Sequence, residues 1–259
     1  MRILSLNCWS EGWDYEKRWP LLSAELAGIK PDVACFQEVF QLRKAAILKK
    51  ALGYPTLVMG DKKSGLALLT RYRKTAGRCL KFKTKSPKEK YSRYALWVRL
   101  AIEKKEWDFF ITHLSWRSGE TKIRQNQIAE LWDFIEKNNG GKRPCVLAGD
   151  MNSVAASDEM KFLAGRKWIY VSQDGIANVI KAHQAFRDTF IEANGKSKNT
   201  WSHKNPYTLR EDLPERRIDY IWFRGSGKPQ QIQSSQVCFD RAAGKIFPSD
   251  HFGVVTEIK

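Results

Sequence analysis

Residues 145–152 read CVLAGDMN, a short apolar run that leads into Asp150 and Asn152. An apolar run of this length, bounded by polar residues, is typical of a buried β-strand. The segment before it, residues 121–138, repeats apolar side chains at helical spacing and stops ahead of a Gly-Gly pair. A helix followed by a buried strand that ends in polar groups indicates an α/β fold.

The same alternation of strand and helix opens the chain. Residues 2–7 alternate as a strand, and residues 16–29 place their apolar side chains on one helical face. Residues 32–38 (DVACFQE) form a second buried strand, and a second helix runs over residues 41–52. This order of elements predicts strands joined by helices on the outside of a sheet.

The middle of the chain contains strands with connections too short for a crossover helix, which predicts antiparallel pairing. The further predicted strands are 65–70, 81–85, 94–102, 107–113, 218–223 and 254–258, and the further helices are 158–163 and 179–191. Mixed sheets with helices outside predict an α/β sandwich. No Pro/Gly/Ser-rich linker divides the chain, so we expect one domain over residues 1–259.

The charge of the chain favours a polyanionic partner. Lysine and arginine total 45 against 28 acidic residues, a formal net charge of +17. Residues 62–93 contain twelve of the basic residues and one acid, Glu89. Nucleic acid or an anionic membrane surface fits this excess, although a solvated surface hairpin accounts for the basic segment equally well.

The sequence also favours a soluble, cytoplasmic protein. It has no apolar run long enough to span a bilayer, and its first residues lack the pattern of a secretory signal. Its five cysteines are an odd number without a CxxC pair, as expected of reduced thiols in the cytoplasm. We expect a monomer.

Residues capable of catalysis recur where predicted strands end, which is where open sheets present functional groups. Each one alone has an ordinary structural explanation, such as a cap or a buried hydrogen-bonded side chain, but the set predicts an active site. The set consists of Asn7, Glu38, His113, Asp150, Asn152, Asp219, Asp250 and His251.

The residue types indicate metal-assisted hydrolysis. Asp150 and Asn152 are one residue apart, so in an extended segment both side chains project to the same side. Acids without Cys/His ligand spacing favour Mg²⁺ or Mn²⁺ over Zn²⁺. His251, oriented by Asp219, is the predicted general base, and His113 is predicted to donate to phosphoryl oxygens or the leaving group.

Six motifs carry a resemblance to a known superfamily: LNCW (6–9), FQEV (36–39), THL (112–114), AGDMN (148–152), RIDYIWF (217–223) and SDHFGVV (249–255). Their order is similar to that of the endonuclease/exonuclease/phosphatase (DNase I-like) superfamily, over nearly the whole chain. The resemblance implies a four-layered α/β sandwich, with two mixed β-sheets face to face and helices outside, and Mg²⁺-dependent phosphoester hydrolysis. It also implies roles for individual residues: Glu38, Asn7 and Asp250 as metal ligands, Asp150 and Asn152 beside the nucleophilic water and the phosphate, Asp219 paired with His251, and Arg93 as a phosphate contact.

The motifs narrow the substrate only in part. Thr112-His113-Leu114 differs from the abasic-site endonucleases, which carry a tyrosine there, and NTWS (199–202) with the last two motifs resembles the tyrosyl-DNA phosphodiesterase branch. Sphingomyelinase-like proteins have similar endings, and Leu6-Asn7-Cys8 departs from the tyrosyl-DNA branch. Four tryptophans lie near the predicted site loops, where they either stack on bases or belong to the core: Trp9, Trp13, Trp116 and Trp201.

Three functions therefore stay open at the level of sequence. The leading prediction is a phosphodiesterase acting on nucleic acid or a nucleic-acid adduct. The alternative is a sphingomyelinase-like or inositol-phosphate phosphoesterase at a membrane surface, where the same lysines and tryptophans would suit the interface. The third is a nucleic-acid-binding protein that has lost catalysis, which would bind its partner in EDTA and release no phosphate product.

Overall fold

The computed structural model describes residues 1–173, 176–225 and 231–259. Strands β1 to β14 are, in chain order, Arg2–Asn7, Val33–Gln37, Thr56–Met59, Ala67–Thr70, Arg73–Lys81, Tyr94–Ile102, Lys105–His113, Cys145–Asp150, Ile169–Gln173, Ile176–Ile180, Arg187–Asp188, Asp219–Arg224, Ile232–Cys238 and Gly253–Ile258. Helices α1 to α5 are Tyr15–Ile29, Leu42–Leu52, Thr121–Asn138, Asp158–Leu163 and Thr189–Asn194, and a 3-10 helix covers Pro206–Arg210.

Two six-stranded mixed sheets form the centre of the molecule. The first has the strand order β13-β14-β1-β2-β4-β3 and the second β11-β12-β8-β7-β6-β5. Strands β1 and β2 are parallel, as are β7 and β8, whereas the other neighbours within these sheets are antiparallel. The predicted antiparallel pairing is thus confirmed for β5, β6 and β7, whereas β4 lies in the first sheet, between β2 and β3.

The apolar side chains divide the molecule into four layers. Ile3 and Val33 of the first sheet share one buried cluster with Phe109 and Val146 of the second, so the two sheets pack face to face. On the outer face of the first sheet, Leu4, Leu6 and Phe36 meet Trp19, Leu22 and Leu26 of α1. Helices α3 and α4 cover the second sheet in the same way. The predicted sandwich, with helices outside, is confirmed.

Two of the predicted elements are wrong. The strand expected at residues 81–85 lies earlier, at β5, and the helix expected at 179–191 is replaced by β10, β11 and the short α5. Apolar residues between Val179 and Ile191 fit a helical period by chance, while Asp188 begins α5 by accepting bonds from the backbone N–H groups of Phe190 and Ile191 at 3.2 and 3.3 Å. Strands β3, β9 and β13 were not predicted, because short or half-exposed strands give little periodic signal.

Gly149 allows β8 to approach β7 closely. Its φ of 150° is unfavourable for other residues, and an added Cβ would lie 2.0 Å from the carbonyl oxygen of Thr112 on β7. We expect Gly149→Ala to lower the free energy of unfolding by about 3 kcal/mol or more, from overpacking and backbone strain together. Urea denaturation measures this change.

The matched control is Gly28→Ala in α1, where an added Cβ meets nothing within 4 Å. Because alanine is the better helix former, this variant should unfold at the same or a higher urea concentration. Equal stability of the two variants would contradict the close approach of β7 and β8.

Candidate active site

The candidate site lies where the two parallel strand pairs end. Parallel neighbours have their carboxyl ends on the same side, so four predicted residues meet there: Asn7 ending β1, Glu38 after β2, His113 ending β7 and Asp150 ending β8. The antiparallel β12 contributes its first residue, Asp219, directly opposite Asp150. Asp250 and His251 enter just ahead of β14, which runs antiparallel to β1. The topology therefore collects the predicted set from both sheets.

Asp150 lies at the centre of this cluster and is 1% exposed. Its Oδ2 atom is 3.2 Å from Asn7 Nδ2, 3.4 Å from His113 Nε2 and 3.7 Å from His251 Nε2. Its Oδ1 atom accepts the backbone N–H of Asn152 at 2.9 Å. Burial raises the pKa of Asp150 to about 6, against the opposing effect of His251. A carboxyl group with such a pKa exchanges protons near neutrality.

His251 is held in the opposite state. Its Nδ1 atom lies 2.9 Å from Asp219 Oδ2, and the Trp201 ring packs edge-on against the imidazole at 5.0 Å. Burial lowers the pKa of His251, but the carboxylates of Asp219 and Asp150 outweigh it and raise the pKa well above its usual value. The raised pKa favours the protonated imidazolium form of the ring, and the general-base role expected from the sequence stays a prediction.

His113 differs from His251 although both rings approach the same carboxylate. Its Nδ1 atom is 4.0 Å from Glu38 Oε1. Burial, together with the positive charges of Arg93 and His251, lowers the pKa of His113 well below its usual value. The neutral ring has one N–H to donate, which fits its predicted role as a hydrogen-bond donor.

Glu38 is held in a strained backbone conformation, with a φ of 59°. Its Oε1 atom accepts from Asn7 Nδ2 at 3.2 Å, and burial raises its pKa. The side chain is nevertheless 24% exposed toward the cavity. A carboxylate that is poorly solvated but open on one side fits a divalent cation that keeps waters and a substrate oxygen in its remaining positions.

Two sets of groups in this cluster are possible cation ligands, and the second of them includes Asp150 itself. The predicted set contains Glu38, Asn7 and Asp250. The Oδ1 atom of Asn7 accepts the backbone N–H of Trp9 at 3.0 Å, and the Oδ1 atom of Asp250 accepts from Ser249 Oγ at 3.3 Å. On the other side, ligand atoms of Asp150, Asp219 and His251 lie within 4.8 Å of one another. Oxygen donors dominate both sets, so the donor chemistry fits Mg²⁺ or Mn²⁺.

The cluster forms the floor of a cavity of about 390 Å³. The cavity walls carry five cations, Lys63, Lys90, Arg93, Arg117 and Arg216. They also carry six aromatic rings, Trp9, Phe40, Tyr91, Tyr94, Trp116 and Trp201. Acidic groups below cationic walls suit a phosphate held over a metal ion, with further phosphates at the rim.

A family model describing the endonuclease/exonuclease/phosphatase family matches residues 4–251 of this chain. The chain belongs to this family. Members of the endonuclease/exonuclease/phosphatase family are generally hydrolases that act on phosphoester bonds. The superfamily predicted from the six motifs is therefore confirmed.

Solved structures share the fold of this family member at low sequence identity. A TDP2 of D. rerio humanised by 14 mutations is 17% identical with a TM-score of 0.79, covering 100% of this chain and 98% of that one. Beta toxin 275-280 from Staphylococcus aureus is 17% identical with a TM-score of 0.76, covering 100% of both chains. An endonuclease/exonuclease/phosphatase from Bacteroides vulgatus is 17% identical with a TM-score of 0.74, covering 100% and 98%. No curated protein sequence matches the chain.

The basic segment 62–93 of this family member is divided between two places. Lys63, Lys90 and Arg93 line the cavity, whereas Arg73 and Arg78 are exposed on β5, the edge strand of the second sheet. Charged side chains on an edge strand discourage pairing with other chains. The solvated-surface interpretation thus applies to part of the segment, and the cavity accounts for another part.

Glu89, the one acid of that segment, fixes the cavity wall. Its Oε2 atom accepts from Arg93 Nε at 2.7 Å, and its Oε1 atom accepts the backbone N–H of Trp116 at 2.9 Å. The guanidinium of Arg93 is thereby placed at the cavity, and its contact to phosphate stays a prediction. Of the four tryptophans noted in the sequence, Trp9, Trp116 and Trp201 line the cavity, and Trp13 is 65% exposed beside Trp9.

Two arginines at or beside the cavity were missed from the sequence. Arg216 lines the cavity three residues before Asp219, and its position next to the RIDYIWF motif was the available signal. Arg18 is 0% exposed and donates to the carbonyl oxygens of Trp9 at 2.8 Å and Pro248 at 3.0 Å. It thereby joins the loop after β1 to the segment that carries Asp250. No sequence pattern predicts a buried arginine that binds carbonyl groups.

Among the described residues, no helix is long and apolar enough to cross a membrane.

Proposed function

We propose that the protein is a Mg²⁺- or Mn²⁺-dependent phosphodiesterase that hydrolyses nucleic acid or a nucleic-acid adduct, with residues 1–259 acting as one domain. One observation carries this proposal: Asp150, a buried carboxyl whose pKa burial raises to about 6, lies 3.4 Å from His113 Nε2 and 3.7 Å from His251 Nε2, below cationic and aromatic walls.

The pKa directions support a division of labour between Asp150 and His251. Asp150 accepts the proton of the attacking water. Its raised pKa makes it a stronger base than an ordinary carboxylate, and above about pH 6 it is in the deprotonated form that can accept a proton. The backbone N–H of Asn152 fixes the other oxygen of this carboxylate. The imidazolium of His251, oriented by Asp219, donates from Nε2 toward the phosphoryl oxygens.

The remaining residues bind and orient the substrate. His113 donates a hydrogen bond from its neutral ring, and Arg93 and Asn152 contact the phosphate at the cavity wall. Glu38, with Asn7 and Asp250, would hold the metal ion. When bound, a divalent ion supplies positive charge that stabilises the oxygen of the leaving group.

The nature of the cavity walls favours nucleic acid. Flanking phosphates would meet cations such as Arg117 and Arg216, and bases would stack on rings such as Trp116. A D. rerio TDP2 structure of the same fold, 17% identical with a TM-score of 0.78, is complexed with a single-strand DNA product. That complex supports a nucleic-acid strand as the substrate here.

The test is parallel hydrolysis of single- and double-stranded DNA, RNA, a 5′-tyrosyl oligonucleotide, sphingomyelin and inositol phosphates, each with Mg²⁺, Mn²⁺ or EDTA. We expect cleavage of nucleic-acid substrates with either ion and a loss of activity in EDTA that added ion restores, because the buried carboxylates need the cation to offset their charge.

Other outcomes identify the alternatives. Cleavage confined to sphingomyelin or inositol phosphates would replace this proposal with a phosphoesterase that works on a membrane surface. Nucleic-acid binding that survives EDTA, without any product in either ion, would identify a binding protein that has lost catalysis.

A further inference from the structure

The β9–β10 hairpin exposes an aromatic face to solvent. Tyr170 on β9 pairs with Val179 on β10, and side chains alternate between the two faces of the hairpin. Ile169 and Val171 point inward and are 1% and 2% exposed. On the outer face, by contrast, Trp168 is 54%, Tyr170 63% and Val179 52% exposed. The inner side chains serve the core, whereas the outer aromatic rings contribute nothing to it.

One ammonium group lies beside the Trp168 ring, and a second lies beside the backbone of Tyr170. Lys181 Nζ is 5.5 Å from the centre of the Trp168 ring, and Lys122 Nζ lies 3.4 Å from the backbone oxygen of Tyr170. A ring next to a cation matches the repeating unit of a nucleic-acid strand, in which each base is followed by a phosphate.

The hairpin contacts helix α3, which follows a cavity residue in the sequence. Arg117, whose guanidinium lies 4.0 Å from the Trp116 ring, lines the cavity just before α3 begins. Lys122 lies in the first turn of α3 and reaches the hairpin at Tyr170. A cation at the cavity, Arg117, and a cation at the hairpin, Lys122, therefore lie close together in the sequence.

We propose that the outer face of the β9–β10 hairpin binds the part of a nucleic-acid substrate that extends beyond the cleaved phosphate. Bases stack on Trp168 and Tyr170, while the backbone phosphates pair with Lys122 and Lys181. This inference rests on the proposed function and adds a second contact region to it.

A lipid bilayer fits this face less well than a strand. Insertion of Trp168 into hydrocarbon would carry along the Lys181 ammonium, which lies against the same ring. A charged group in the hydrocarbon region is costly. A polyanion in water takes up the ring and the ammonium together without that cost.

The test compares the wild type with a Trp168→Ala/Tyr170→Ala variant on three substrates: a long single-stranded oligonucleotide, a dinucleotide and bis(p-nitrophenyl) phosphate. We expect KM for the long strand to rise about tenfold or more as two stacking contacts are lost, with kcat unchanged. The dinucleotide and the small diester do not reach the hairpin, so their kinetics should not change. Lys181→Glu should raise KM for the long strand in the same selective way.

The matched control is Leu42→Ala/Ile47→Ala, which removes two exposed apolar side chains, 67% and 40% exposed, from α2. Its KM for the long strand should equal that of the wild type. An unchanged KM in the hairpin variant, or a loss of binding to phosphatidylserine vesicles in place of the strand, would overturn the inference. Wild-type protein that hydrolyses the small diester but no oligonucleotide would instead refute the proposed nucleic-acid substrate itself.

Discussion

Replacing Asp150 by asparagine should lower kcat about 10³-fold, because general-base catalysis contributes roughly 10² to 10⁴ in rate and asparagine cannot accept the proton. The amide keeps nearly the same shape within the cluster of Asn7, His113 and His251. The measurement is single-turnover hydrolysis of an oligonucleotide in Mg²⁺.

The pH profile of the wild type tests the same role. Since the pKa of Asp150 is raised to about 6, its basic form is lost as the pH falls through that value, and kcat/KM should decline on the acid side. The residual activity of Asp150→Asn should lack this decline. Normal turnover in the variant would assign the proton transfer to another group.

Stability separates this effect from misfolding. A carboxyl group whose pKa is raised in the folded state stabilises the fold below its unfolded pKa, and that contribution is lost as the pH rises through the folded value. At pH 7 the charged Asp150 therefore lowers the free energy of unfolding. The asparagine variant, which carries no buried charge there, should unfold at an equal or higher urea concentration. The control, Asp133→Asn, changes an exposed acid of α3 and should leave kcat unaltered.

The second large effect is expected for His251→Ala, with a fall in kcat/KM of about 10² to 10³ as a preorganised hydrogen-bond donor is lost. Because Asp219 and Asp150 raise the pKa of His251 well above its usual value against the effect of burial, the ring keeps its proton at a higher pH than a free imidazole does. The kcat/KM of the wild type should therefore fall on the alkaline side of its pH profile, where this ring loses its proton. The profile of the variant should lack this alkaline limb.

The role of His251 follows from which limb of the pH profile, acid or alkaline, is absent in His251→Ala. Loss of the acid limb in His251→Ala would restore the general-base role predicted from the sequence. His203→Ala is the control, since this ring is exposed and its Nε2 lies 2.9 Å from the backbone oxygen of Leu213, away from the Asp150 cluster's contacts. It should match the wild type at every pH.

The site was predictable because its residues follow strong local signals. Asp150 and His113 each end an apolar strand, and strands with such regular patterns are recognised from sequence alone. The opposite protonation of His113 and His251 was not predictable, because it depends on which charges tertiary packing brings to each ring. The pairing of Asp219 with Asp150 across β12 and β8 has the same origin.

The errors in the fold have equally local causes. Residues 179–191 carry apolar side chains at helical intervals, but Val179 faces solvent on the β9–β10 hairpin. The surrounding sequence has no pattern that predicts this hairpin. Arg18 would be expected on the surface from its residue type, and its carbonyl partners lie on two loops far apart in the sequence. Predictions from sequence were thus reliable for repeating patterns and unreliable for long-range polar contacts.

The central position of β1 has a consequence for the protein as it leaves the ribosome. Strand β1 pairs with β2 on one side and with β14 on the other. A nascent chain that ends before residue 250 has His113 and Asp150 but lacks His251, and one flank of β1 is unpaired. Contacts between segments so distant in sequence form late in folding. Phosphoester hydrolysis is therefore expected to begin only after synthesis has passed residue 258, because the growing polypeptide lacks the complete site until then.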